Sequence, residues 1–154
     1  MRADAESILA MPLEDLWGLI ADVFEKGGKF RLFPRGVSML PLIREGKDEI
    51  LLEAPKTIKK WDILLYRRED GTFVLHRLIS VAKDGLVLCG DNQAVLERGV
   101  PRVAILARVC GIFRDGEYLS VDSPQLRRYA RRRVASRPIR HMASSVRSLL
   151  KKKK

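Results

Sequence analysis

Three short segments carry the groups that could do chemistry in this chain: Gly36-Val37-Ser38-Met39-Leu40-Pro41, Val74-Leu75-His76-Arg77 and Cys89-Gly90-Asp91-Asn92. A hydroxyl, an imidazole and a carboxylate can serve together as nucleophile, general base and orienting acid in acyl transfer. A free serine is a weak nucleophile until a neighbouring base takes its proton, so its setting matters more than its type. Ser38 stands among Pro34, Gly36 and Pro41, whose fixed or unusually free φ angles restrict the backbone around it. His76, with an ordinary pKa of about 6.5, is the candidate base; the second histidine, His141, falls in a strongly basic stretch. Asp91 is the candidate that would accept from the other ring nitrogen and fix the tautomer. Taken one by one, each residue also has an ordinary reading. Ser38 could be a turn hydroxyl, His76 a hydrogen-bonded core histidine and Asp91 a turn cap after Gly90.

The elements that must hold these residues follow from apolar spacing. Pro12, Glu14 and Asp15 read as a helix start, and Leu13, Leu16, Trp17, Ile20, Val23 and Phe24 recur at helical intervals until Gly27-Gly28. This predicts an amphipathic helix, covering one end of the core or docking elsewhere. From Phe30 to about Val121 the pattern becomes β-like, with strands expected at Glu49–Glu53, Ile63–Arg67, Thr72–Ala82, Leu86–Cys89, Val103–Arg114 and Tyr118–Val121. Asp70-Gly71, Asp84-Gly85 and Asp115-Gly116 separate neighbouring runs as hairpin turns do. Both alternating faces of Thr72–Ala82 are largely apolar, so this strand is expected to be buried on both sides.

Charge divides the chain. Of 154 residues, 30 are Lys or Arg and 19 are Asp or Glu, a formal net charge of +11. Residues 124–154 hold 12 of the basic residues and no acidic one, so the remainder is almost neutral. After Ser123-Pro124 the segment Gln125–Arg133 reads as a basic helix, interrupted at Pro138; Ile139, Met142, Ala143, Val146, Leu149 and Leu150 then share one helical face before Lys151–Lys154. Such a segment fits an anionic membrane surface, a protein or nucleic-acid partner, or a solvated tail, with nucleic acid the weaker of the binding alternatives. Cys89 and Cys110 have no metal-ligand spacing and read as buried thiols of a reducing compartment; nothing in the pattern calls for a metal or other cofactor. No stretch approaches the roughly 20 apolar residues of a spanning helix, and Met1-Arg2-Ala3-Asp4-Ala5-Glu6 makes a poor secretory signal. A cytoplasmic chain, with its tail at the cytoplasmic face of a membrane as one option, is the expectation.

Gly36–Pro41, Trp61-Asp62-Ile63-Leu64-Leu65-Tyr66, Leu75-His76-Arg77 and Gly90-Asp91-Asn92, in this order, resemble the motifs of the type I signal peptidase family. The resemblance covers residues 30–114. In the common bacterial branch a lysine precedes the arginine; His76 in that place resembles the branch of the endoplasmic reticulum, archaea and some Gram-positive bacteria. The resemblance implies a mainly β, antiparallel fold of the signal-peptidase and SOS-repressor kind for a peptidase-like domain over 30–123, which the apolar spacing and charge flank with an N-terminal amphipathic helix over 1–29 and a basic helical tail over 124–154. It implies Ser38 as nucleophile, His76 as base, Asp91 as supporting acid and a peptide or protein precursor as substrate. Arg77 and Glu97 are supporting candidates, Glu97 being nearest to the second acid of the His-type branch.

The departures shape the reading. Family members carry a membrane span and cut exported proteins; a span is not read here, so a cytosolic leader or precursor becomes the expected substrate. Position 36 is a serine in some members, and Gly36 lacks that hydroxyl, so an oxyanion hole would rest on backbone N–H groups such as that of Ser38. The Gly-Asp after the serine segment appears as Gly46-Lys47-Asp48, one residue longer. Two other functions compete. A self-cleaving SOS-type repressor would need a helix-turn-helix before the catalytic part and a lysine at position 76. A catalytically silent module would keep the fold and use the basic tail for binding.

Overall fold

The Asp-Gly pairs do turn the chain. Each of the three joins two strands that pair antiparallel. At the last of them Asp115 and Gly116 have φ of 50° and 85°, the doubly positive pattern of a tight hairpin. In the computed structural model, which describes residues 12–151, the β-like runs form one eight-stranded antiparallel sheet. The reading of Met1–Glu6 and of Lys152–Lys154 lies outside the described residues.

The strands are β1 (Phe30–Leu32), β2 (Glu49–Glu53), β3 (Ile63–Arg67), β4 (Phe73–Ala82), β5 (Gly85–Cys89), β6 (Glu97–Val100), β7 (Ile105–Arg114) and β8 (Glu117–Ser120). Their spatial order is β1-β2-β7-β3-β4-β5-β6, with β8 paired to β7 outside that path. Five of the six expected strands appear within one residue of their predicted bounds. The sixth starts later than Val103, because Arg102–Ala104 after Pro101 forms a 3₁₀ turn and the strand begins at Ile105. β1 and β6 had no counterpart in the sequence reading; both are short, and only pairing with β2 and β5 makes them strands.

The hairpin β3–β4 is buried or half-buried on both faces from Ile63 to Tyr66 and from Phe73 to Ile79; the two-sided burial expected for Thr72–Ala82 stops there, because Val81 and Ala82 at the end of β4 are exposed. Ile63 and Leu65 face a core with Ile50, Leu52, Val109 and Ile112, and Phe73 and Leu75 pack on it. Leu64, Tyr66, Val74 and Leu78 face a second core with Leu86, Leu88 and Ile105. Burying each such aliphatic side chain contributes roughly 1.5–3 kcal/mol before the entropy of ordering is subtracted. A strand lined with apolar residues on both faces is therefore driven to the centre of the sheet.

Helix α1 (Leu13–Glu25) covers the first core, burying Leu16 and Ile20 while Trp17 and Phe24 pack against it. Trp17 meets Phe73 of β4 with ring centroids 6.1 Å apart. The helix stops at Gly27, whose φ of 74° lets the Gly28 N–H turn back to the Val23 carbonyl at 2.8 Å. Helix α2 (Pro124–Ala135) is capped by Ser123, which accepts from the Leu126 N–H, with Pro at the first turn. Its Ala130 is buried and Leu126 and Tyr129 pack on the first core, so this part of the tail joins the sheet domain. The chain breaks at Ser136, and α3 (Arg137–Lys151) follows with no buried residue.

Candidate active site

Ser38 lies in the irregular segment between β1 and β2, and its position is set by the loop after β5. The Asn92 N–H donates to the Ser38 carbonyl at 2.8 Å and the Asn92 side chain donates to the Val37 carbonyl at 3.1 Å. Gly90 makes this approach feasible: a Cβ there would sit 2.6 Å from the Ser38 carbonyl oxygen and 3.1 Å from the Ser38 Cβ. The Ser38 hydroxyl makes a long contact, 3.5 Å, with the carbonyl oxygen of Leu75, the residue before His76. Two of the three segments singled out by sequence thus touch directly, and the third is reached through the backbone of β4.

His76 belongs to the second core and is 2% exposed. Its Nδ1 lies 3.1 Å from the Tyr66 hydroxyl and 3.9 Å from Glu97 Oε1. Burial pushes the imidazole down from 6.5 to about 4, with the Glu97 charge opposing. At neutral pH the ring is therefore uncharged and able to take a proton. Burial raises the Glu97 carboxyl, but hydrogen bonds from Arg68 and Tyr66 outweigh it and hold the group below its usual range. Arg68 donates to both Glu97 oxygens, through Nε at 3.2 Å and through a terminal nitrogen. Burial first, and the Glu97 carboxylate second, push the Tyr66 phenol above its ordinary range.

Asp91 does not take the expected place against the imidazole. Arg77 donates to both of its carboxylate oxygens at 2.7 Å, and the Tyr129 hydroxyl donates to Oδ2 at 3.2 Å. The pair is almost completely buried, with side-chain exposures of 3% and 2%. Arg77 also donates to the Trp61 carbonyl at 2.8 Å. The Asp91 carbonyl accepts from Arg133 at 3.1 Å and from Arg140 at 3.0 Å, and the Ala94 carbonyl accepts from Arg137. The His-Arg and Gly-Asp-Asn segments are therefore joined by a buried ion pair, which α2 and the first turn of α3 brace. The acid facing the histidine is Glu97.

The other motif residues hold the frame. Asp62, fully buried, accepts from the Lys59 N–H at 2.7 Å, from Arg108 of β7 at 3.0 Å and from Arg127 of α2 at 2.9 Å. Asp48, also buried, is bound by Arg44 and Arg114; burial alone would raise its carboxyl, but those hydrogen bonds hold it far below the usual carboxylate range. The Gly36 N–H is occupied by Glu45 Oε1 at 2.7 Å, which removes it as a free backbone donor beside Ser38. Cys89 and Cys110 are buried free thiols whose pKa burial raises, so neither is a ready nucleophile. A cavity of about 280 Å³ opens beside Leu75, walled by Leu13 and Leu16 of α1, Leu32, Phe33 and Leu65, with Glu14, Arg31 and Arg35 also lining it.

No family of known proteins, no curated protein and no solved structure matches this chain.

Tyr66 is the site residue that sequence reasoning missed. Its signal was present: a phenol in a strand buried on both faces must find a polar partner for its hydroxyl. The Asp70-Gly71 hairpin pairs Tyr66 with Val74, which makes His76 its diagonal neighbour on the same face.

Proposed function

We propose that this protein is a serine endopeptidase acting on a precursor or leader peptide, with Ser38 as nucleophile and His76 as general base, on a signal-peptidase-like version of the antiparallel β fold. The observation that carries the reading is His76 itself: a neutral, buried imidazole whose Nδ1 is engaged by Tyr66 beside an ionised Glu97. An ionised carboxylate draws the Tyr66 O–H toward itself, leaving the phenol oxygen to accept from Nδ1–H. The lone pair is then on Nε2, as a base for a serine hydroxyl requires. Ser38 Oγ would attack the peptide carbonyl carbon as its proton passes to Nε2. That proton then goes to the departing amine, and water, deprotonated by His76, hydrolyses the acyl-serine ester. The Ser38 N–H is the donor for the developing oxyanion. Leu75, whose carbonyl the Ser38 hydroxyl contacts, also lines the cavity, whose leucine and phenylalanine walls suit an apolar side chain of the peptide.

Ser38 and His76 share no hydrogen bond in this structure, and the Ser38 hydroxyl points to the Leu75 carbonyl. In enzymes without substrate, catalytic hydrogen bonds are often long or misaligned and tighten in the complex. The same observation favours a second reading, a silent module that keeps the fold for binding. Labelling with a serine-reactive probe, together with cleavage of a cytosolic precursor peptide, decides between them. The peptidase reading expects both in the native chain and neither in Ser38→Ala, with His76→Ala slower by about 10²–10⁴. Equal behaviour of native chain and Ser38→Ala would leave the silent module.

A further inference from the structure

Helix α3 (Arg137–Lys151) presents an apolar face that none of the described residues covers. Ile139, Met142, Val146, Leu149 and Leu150 are between 55% and 71% exposed. Their spacing of three, four, three and one places them on a single side of the helix. Arg140, Arg147 and Lys151, seven and four residues apart, lie on a different side, and the sequence continues Lys152-Lys153-Lys154. Arg128, Arg131 and Arg132 on α2 are exposed as well. No acidic residue occurs anywhere from 124 onward.

We infer that α3 is an interfacial helix that lies on an anionic lipid surface. The pattern answers to two features that such a surface offers together: hydrocarbon a few ångströms below and negative headgroups beside it. A second copy of the chain would cover the apolar face only by bringing two wholly basic helices together. Nucleic acid would use the cations and leave five large apolar side chains in water. The helix is also tied to the body. Its first turn holds the Asp91 and Ala94 carbonyls through Arg140 and Arg137. Lipid bound along α3 would therefore meet the domain on the side of the Gly90–Asp91–Asn92 loop. This inference does not depend on the peptidase reading.

The test is flotation of the full chain with vesicles of neutral phosphatidylcholine and with vesicles containing roughly 30% phosphatidylglycerol. The variant pair Val146→Asp with Leu149→Asp replaces exposed residues only, so the sheet domain stays folded and its thermal melting serves as the check. A second pair, Val146→Ser with Leu149→Ser, removes the apolar face without adding charge. The inference expects binding to anionic vesicles about tenfold or more above neutral ones, weakened by salt and lost in both pairs. Equal binding to the two vesicle types, no binding, or binding that survives both pairs overturns it. Two further arms name the competitors. Duplex DNA binding without vesicle binding, unaffected by Val146→Asp with Leu149→Asp, would assign the tail to nucleic acid. A dimer in sedimentation that this pair dissolves, again without vesicle binding, would assign the face to a second copy.

Discussion

The Tyr66 hydroxyl stands 3.1 Å from Nδ1 of His76, with Glu97 Oε1 3.9 Å from the same nitrogen. A buried phenol, a buried neutral imidazole and a partly exposed, ionised carboxylate thus form one polar group at the edge of the second core. On the proposed tautomer, removing the phenol oxygen leaves the Nδ1 proton without its acceptor. In Tyr66→Phe we expect peptide cleavage to fall about tenfold or more, since an unsatisfied buried partner costs roughly 1–3 kcal/mol. A kcat/KM against pH measurement checks it. A purely structural tyrosine would change melting and leave the profile in place.

The pH dependence carries a sign that His76 sets. Its folded pKa, about 4, lies below the ordinary 6.5. Between the two values the unfolded chain binds a proton that the folded chain excludes. Stability from this group is therefore complete above pH 6.5 and is lost as pH falls through 4, a difference of roughly 3 kcal/mol. Urea unfolding at neutral pH and near pH 4 should show this loss in the native chain and less of it in His76→Gln. The acid limb of kcat/KM should likewise fall near pH 4 and not near 6.5.

Asp91 and Glu97 should separate stability from rate. Removing one member of a buried ion pair costs about 3–5 kcal/mol, because the other charge stays buried alone. Asp91→Ala, which strands Arg77 in this way, should lower the melting temperature by on the order of 10 °C. Glu97→Gln, at a partly exposed position, should melt within a few degrees of the native chain and lose rate. Thermal unfolding beside a cleavage assay reads both. The reverse pattern would return Asp91 to the role of orienting acid.

Gly90 sets the seat of the nucleophile. In Gly90→Ala the new methyl would lie 2.6 Å from the Ser38 carbonyl oxygen, so the Ser38 segment must move. A shift of an ångström costs a catalytic site about a hundredfold. Probe labelling of Ser38 in Gly90→Ala, compared with the native chain under folded conditions, is the measurement. Labelling at the native rate would show that the 36–41 segment is not positioned by this loop.

Much of the architecture was legible in the sequence because it rests on local rules. The two apolar faces of Thr72–Ala82 marked a strand buried on both sides, which it is as far as Ile79, and the Asp-Gly pairs marked the reversals that make its neighbours antiparallel. Leu13 to Phe24 marked a helix, since its period matches one face. β1 and β6 were not legible, because three or four residues carry no period and become strands only by pairing. The segments around Ser38, His76 and Gly90 were visible as chemistry-bearing groups. Which acid serves which partner was not. That depends on the register of β4 against β3 and β5 and on β6 bringing Glu97 to the second core, while Arg77 and the α2 residue Tyr129 claim Asp91. Residue types and spacing decided the sheet, the helix and the candidate groups through short-range sterics and burial. Only the tertiary structure decided the partners, because a charge in a low-dielectric interior pairs with whatever the fold brings within about 3 Å, however far away in the chain it lies.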